Sequence, residues 1–472
     1  MVSTFGSLAT AYSGLTAARA GIDVTGQNIA NAGTAGYTRQ RVTQSSIPAV
    51  QTGFVRGTAA LAGQGVSIDG IARLGSLTLD AGLRTATGSS AWAQTRATGL
   101  SAIEDGLHEP GKNGLSAQLD AFWSAWSDLA AHPDDAGAAS SVIATASTVA
   151  GTLAAGSTAL DTQWSTVRST AATQVDQLND AAAQVADLNG QIRSTLAAGG
   201  NANELLDQRD QLTQQIAGFA GGTVRTNTDG TVDVLLGGNP LVQGDTVRTV
   251  ALEGGARLGD GQAVTLRWTS GSAGAVTLDG GSIGGALSLL APASGGTGGA
   301  IAEASAAYDR VATRLAETVN TEHAKGTTPT GATGQPFFAL AAGTPAAQGL
   351  SVVPTDGDGL ATRNAAGELD DSFADALSRL GSAAGGADST WATFVAGVGS
   401  ASRTAGSEAT LTGLALTSAR TQQQSGAGVD LDEENVALLS YQHAYQGAAR
   451  VLTAVDEMLD TLINRVGLVG RG

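Results

Sequence analysis

Large apolar side chains near the start of the chain fall at Phe5, Leu8, Tyr12, Leu15, Ile22 and Ile29, a series stepping by three and four whose two missing places hold Arg19 and Gly26. Such a series is a heptad seam and predicts a helix that seeks a partner helix. It stops in Asn31-Ala-Gly-Thr-Ala-Gly36-Tyr37, where two glycines supply a helix end and a turn. The far end of the chain repeats the device without gaps at Leu438, Tyr441, Tyr445, Ala448, Leu452, Val455, Leu459, Leu462 and Val466. Asp430 fits an N-cap with Glu433 placed for a capping box, and Asp432, Glu433 and Glu434 set negative charge against the positive end of the helix dipole. Seams at both ends predict that the termini pair with each other or with neighbouring copies. Their large residues are the candidate assembly interface, because each copy covers the apolar stripe of the next.

Between the seams the period changes several times. Residues 38–80 show short β-like stretches, including Val50 to Val55 and Val66 to Ile71. From about 90 to 220 the pattern is helical, and Val142, Val149, Leu153, Leu160, Val175, Leu178, Val185 and Ile192 keep one stripe. A single helix over 139–196 would extend roughly 87 Å, longer than a compact globule needs. Gly199-Gly200 ends it, and Leu205, Leu212, Ile216 and Phe219 mark a shorter helix that stops at Gly221-Gly222. Val224 and Thr226, a turn at Asp229-Gly230, then Val232, Val234 and Leu236 read as a hairpin. Val264, Leu266, Trp268, Val276 and Leu278 extend it into a small antiparallel unit. A helix returns at about 300–323, residues 326–371 read as loop with one strand at Leu350 to Val353, and helical signals resume at Ser372. The fold class is therefore mainly α with a small antiparallel β unit, in an elongated multi-domain subunit whose terminal helices pair as a coiled-coil layer. The domains are 1–60 with 429–472 (terminal helices), 61–220 with 372–428 (long helices) and 221–371 (β-rich middle).

Charge and composition narrow the function. Asp and Glu outnumber Lys and Arg by 42 to 25, a net charge of −17, which opposes nucleic acid or an anionic membrane as partner. Without cysteine there is no disulfide scaffold, zinc finger or cysteine nucleophile. His108, His132, His323 and His443 lack metal spacing, and Thr321-Glu322-His323 lacks the second histidine of a metalloprotease helix. His132 reads as a helix end and His443 lies on the polar side of its helix. Gly280-Gly-Ser282-Ile-Gly284 resembles a nucleophile elbow, but no His/Asp pattern accompanies it and it reads as a turn. Asp207, Arg209 and Asp210 read as a polar helix face with surface pairing, and Phe122, Trp123 and Trp126 as core. No catalytic, cofactor or metal residue emerges. Met1-Val-Ser-Thr-Phe-Gly-Ser-Leu8 has no cleavable signal-peptide pattern, and Ala136 to Leu160 is too weakly hydrophobic to span a bilayer.

Ser7-Leu-Ala-Thr-Ala-Tyr-Ser13-Gly14-Leu15 through Asn28-Ile29-Ala30-Asn31, then Gly36-Tyr37-Thr38-Arg39-Gln40, resembles the N-terminal signature of the bacterial flagellar axial proteins. Gly428-Val-Asp430-Leu-Asp-Glu-Glu434, Tyr441-Gln-His-Ala-Tyr445-Gln446 and Glu457-Met-Leu-Asp-Thr-Leu462-Ile-Asn464 resemble the matching end. The Leu-Asp-Glu-Glu and Tyr-Gln-x-Ala-Tyr-Gln forms, with Leu205 to Leu212 and Thr321-Glu-His323 leading to Pro336-Phe337-Phe338, are similar to the hook-associated members. Ala35 stands where a proline is usual, Gly447 interrupts the usual Gln-Ala-Asn-Ala run, and the short 326–371 loop implies a reduced outer domain. The resemblance implies a non-enzymatic subunit exported through the flagellar type III apparatus to the cell exterior. It would self-assemble as a ring joining hook to filament, its terminal helices forming the inner tube. The implied neighbours are hook protein and the second hook–filament junction protein, with an export chaperone at the C-terminal helix. The alternatives are a hook or distal rod protein, or a secreted adhesin or enzyme carried on an axial scaffold.

Overall fold

The computed structural model describes residues 4–48, 63–270 and 274–461. The chain opens with α1 (Thr4–Asn31), the strands β1 (Gln40–Ser46) and β2 (Val66–Arg73), α2 (Leu77–Leu107) and α3 (Leu115–Ala131). Next come α4 (Ala136–Ala197) and α5 (Asn203–Ala220). The β region holds β3 (Thr223–Thr226), β4 (Val232–Leu236), β5 (Asn239–Gln243), β6 (Thr246–Val247), β7 (Val250–Glu253) and β8 (Thr265–Trp268). After it lie α6 (Gly281–Leu290), α7 (Ala300–His323), β9 (Phe338–Leu340), α8 (Ala346–Gly349) and β10 (Leu350–Val352). The chain closes with α9 (Ser372–Ser378), α10 (Ala387–Ala427) and α11 (Leu431–Asp460).

The long apolar stripe does form one unbroken helix: α4 has 62 residues, about 93 Å at the α-helical rise. Asp135 caps it by accepting from the backbone N–H groups of Gly137 and Ala138. Its length follows from serving two apolar cores. Val142, Val149, Leu153 and Trp164 enter the first, with Phe122 and Trp126 of α3, Val311 and Leu315 of α7, Phe337, Phe338 and Trp391. Val175, Leu178, Ala182 and Val185 enter the second, with Ile216 of α5, Val234, Leu241, Val242, Leu266, Trp268 and Ile283. By length and composition α4 is apolar enough to cross a membrane, yet these side chains are covered by protein.

The expected hairpin is present: β3 and β4 pair antiparallel with Val224 opposite Val234, and β5 and β6 extend the sheet in sequence order. β7 and β8 form a second ribbon with Val250 opposite Trp268. Over 326–371 the structure adds a strand that the sequence reading lacked. Phe338–Leu340 pairs with Leu350–Val352, and Phe338 is buried in the first core. The Gly280–Gly284 fragment is not a turn but the start of α6, where Ser282 Oγ donates to Gln174 Oε1 at 3.0 Å. The stretch Val50 to Val55 lies outside the described residues.

The histidines play structural parts. His108 closes α2 with a left-handed backbone, φ 55°, and His132 ends α3. His323 is buried against Trp126 and Phe337, with Nδ1 donating to the Gln335 carbonyl at 2.8 Å and Nε2 accepting from Ala361 N at 3.1 Å. Both ring nitrogens are thus occupied, and burial lowers its pKa and keeps it neutral. Among the described residues no group of three or more His, Cys, Asp or Glu is arranged to hold a metal.

At the start of α10, Asp388 accepts from Trp123 Nε1 at 3.0 and 3.2 Å, and burial pushes its carboxyl up to about 6. Its folded pKa lies above the unfolded value near 3.8, so Asp388 withdraws stability as pH rises from about 4 through 6. Asp388→Asn should therefore gain on the wild type across that window and level off near pH 7 at about 1–2 kcal/mol, read from denaturant midpoints at each pH.

Candidate assembly interface

α1 and α11 lie side by side, and their register repeats every heptad. Asn28 Nδ2 donates to Glu434 Oε2 at 3.0 Å, a Cβ on Gly21 would fall 2.5 Å from the Tyr441 ring, and one on Gly14 would touch Ala448 Cβ at 3.9 Å. Gly21 is therefore required: the ring occupies the space of any larger side chain. Ala11, Gly14, Ala18, Gly21, Thr25 and Asn28 step by three and four as the large residues do, and this small-residue line faces α11. On α11, Val455 is buried and Leu438, Tyr441, Leu452 and Leu459 are half-buried.

The large residues of the expected N-terminal seam flank this contact rather than fill its centre. Phe5 and Tyr12 are 70% and 65% exposed, and Leu8, Leu15, Ile22 and Ile29 are half-buried. The heptad reading followed bulk, whereas close approach of two helices selects small side chains. Tyr445 is also exposed, as are Val436, Leu439, Val451 and Met458. Leu462 and Val466 lie outside the described residues. The helix pair thus keeps Phe5, Tyr12 and Tyr445 on the outside.

Where α1 ends, the chain turns back and its motif residues close on the start of α11. Tyr37 Oη donates to Asn28 Oδ1 at 2.9 Å, and Asn28 Nδ2 also donates to the Gln40 carbonyl at 2.9 Å. Arg39 Nε meets Glu434 Oε1 and Arg39 Nη1 meets Glu433 Oε2, both at 2.6 Å. Asn28 and Glu434 are 1% and 2% exposed, so the carboxylate is matched entirely within the protein. Burial, then the Asp207, Glu434 and Glu204 carboxylates, push the Tyr37 hydroxyl up to about 12, which keeps it a donor. Asp430 caps α11 as expected, accepting from Asp432 N and Glu433 N. Glu433 does not close a capping box; its carboxylate goes to Arg39.

α5 completes the cluster, and here the surface-pairing expectation fails. Asp207 and Arg209 are buried and do not pair with each other. Asp207 Oδ2 accepts from Thr38 N at 3.1 Å, and Arg73 Nη2 lies 2.7 Å from Asp207 Oδ1 and 2.8 Å from Asp210 Oδ2. Arg209 Nη1 reaches the Gly230 carbonyl at 2.6 Å and Asn189 Oδ1 at 3.2 Å. Asn203 Nδ2 donates to Gln40 Oε1 at 3.1 Å and the Ile71 carbonyl at 3.0 Å. Arg73 and Asn203 have no distinguishing signal as isolated polar residues; only the partners supplied by the fold reveal them.

Comparison with known proteins gives three family matches. The helical domain of the flagellar hook-associated protein FlgK matches residues 100–338, just over half of the chain. The flagella basal body rod protein family matches 8–38, and the C-terminal part of the flagellar basal body rod FlgEFG proteins matches 421–465. Flagellar hook-associated protein 1 of Bacillus subtilis (strain 168) is 29% identical over 508 residues, spanning 100% of both chains. Its counterpart in Escherichia coli (strain K12) is 26% identical over 553 residues, spanning 96% of this chain and 98% of its own. The solved flagellar hook junction protein FlgK from Burkholderia pseudomallei superposes on 55% of this chain and 46% of its own, at 24% identity and a TM-score of 0.47.

The Gly21 contact separates packing from helix propensity. Gly21→Ala should destabilise the α1–α11 pair by about 1–3 kcal/mol through overpacking against Tyr441. Gly26→Ala, with no atom within 4 Å of the added Cβ, should stabilise α1 by about 0.5–1 kcal/mol. Hydrogen exchange over 431–460 reads both, falling in protection for the first and not for the second.

Proposed function

Since the chain belongs to the flagellar hook-associated protein family and is a structural part of the bacterial flagellum, we propose that it assembles as a ring joining hook to filament through its terminal helices. One observation carries this reading: the helix pair is held by a small-residue line and leaves Phe5, Tyr12 and Tyr445 exposed. Two such stripes cover each other when copies meet, removing apolar surface from water. The interface comprises Phe5, Leu8, Tyr12, Leu15, Ile22 and Ile29 with Leu438, Tyr441, Tyr445, Leu452, Val455, Leu459, Leu462 and Val466. Some of these hold the pair within one copy and the others reach the next.

In the same reading residues 1–60 and 429–472 form the inner tube. Residues 61–220 with 372–428 form the layer of long helices, and 221–371 the β-rich middle. The neighbours are copies of the chain, hook protein and the second hook–filament junction protein, and neither nucleic acid nor membrane takes part. The subunit reaches the cell exterior through the flagellar type III apparatus, with an export chaperone covering α11 beforehand. The work is mechanical, a joint between a bendable and a stiffer tube, with no turnover.

Deletion in the source bacterium should leave hooks without filaments and shed filament protein into the medium; filaments retained on those hooks would reject the junction role. Leu452→Asp should block assembly in a complementation assay and shift the melting of the central cores by less than about 0.5 kcal/mol, the effect of a remote substitution.

A further inference from the structure

We propose that α5 is a polar clamp that sets the orientation of the terminal helix unit on the central body and opens without unfolding either. The proposal rests on the reading of the chain as a mechanical joint. Asn203, Asp207, Asp210 and Gln211 fall on one side of α5, at the spacing of successive helical turns. All four engage residues 35–73: Asn203 with Gln40 and Ile71, Asp207 with Thr38 and Arg73, Asp210 with Arg73, and Gln211 Nε2 with the Ala35 carbonyl at 2.7 Å. The other side carries Arg209, Ile216 and Ala220. Arg209 bonds to Asn189 of α4 and the Gly230 carbonyl, while Ile216 and Ala220 lie in the second core. One short helix therefore grips the terminal unit with one face and the central body with the other.

The two grips differ in kind. The body side adds the apolar contacts of Ile216 and Ala220 to the buried Arg209 bonds, whereas the terminal side consists of hydrogen bonds and ion pairs. Ala11, Ala17, Ala18, Val24 and Val42 are buried around α1 and β1, and none belongs to the apolar clusters of the body. A cleft of about 420 Å³ runs beside the terminal-side contacts, lined by Thr38, Arg73, Asp80, Asp207, Asp210 and Gln423. Water in such a cleft can take over the released Arg73, Asp210 and Gln211 groups, so these bonds exchange at little net cost while the buried Asn203 and Asp207 bonds fix one preferred angle. An apolar weld would offer no such second position.

The chain has no native cysteine, so paired spin labels at Gln44→Cys and Thr158→Cys report the distance between hairpin and α4 in the full-length protein. Asn203→Ala combined with Asp207→Ala should widen the distance distribution about twofold, with the near-UV signal of the buried tryptophans and its melting midpoint unchanged. Gln211→Ala, which removes one bond from an exposed side chain, should widen it less and decides the matter if the double variant melts early. An unaltered width in Gln211→Ala and in a folded double variant overturns the clamp. Filaments retained on hooks after deletion would instead overturn the joint reading and leave the distance measurement valid.

Discussion

A carboxylate as deeply buried as that of Glu434 must find its counter-charge inside the protein, because a buried charge stripped of its partner destabilises by several kcal/mol. Its partners, Arg39 and Asn28, come from the opposite end of the chain. Two apolar helices alone would slide past one another, since one heptad looks much like the next. A single buried polar group at one level removes that freedom. With Asn28 set against Glu434, the heptad repeat brings Gly21 under Tyr441 and Gly14 beside Ala448 without further instruction.

The central body is stabilised by different means. Trp126, Trp164, Trp391, Phe122, Phe337 and Phe338 are fully buried there, and each large side chain contributes on the order of 2–3 kcal/mol by leaving water. α4 ties the two cores to one continuous helix. Among the described residues the terminal pair has no comparable aromatic interior.

Much of this architecture was legible in the sequence because period and punctuation are local signals. The span of α4, the limits of α7, the β3–β4 hairpin and the Asp430 cap all follow from spacing and from glycine. Three features were not. The strand at Phe338–Leu340 is too short to show a period, and its burial depends on residues far away in sequence. Asp207 and Arg209 look like surface groups because charged residues clustered on a helix usually are; only the folded positions of Arg73 and Asn189 show that each has a separate buried partner. The small-residue line of α1 shows no hydrophobic pattern, because such patterns weigh bulk, whereas the contact with Tyr441 is decided by the absence of a side chain.

That small-residue line bears on the physical logic of the subunit. Had Phe5, Tyr12 and their line faced α11, the helix pair would have satisfied itself within one copy and left little to draw in the next. Glycine and alanine on the inner line let the backbones approach closely and hold register while burying little apolar area, so most of the attraction is left on the outer surface. An isolated copy then carries an exposed stripe at some cost in solubility. In the proposed ring the same stripe is covered where copies meet, so the apolar area left out of the helix pair becomes part of the contact between them.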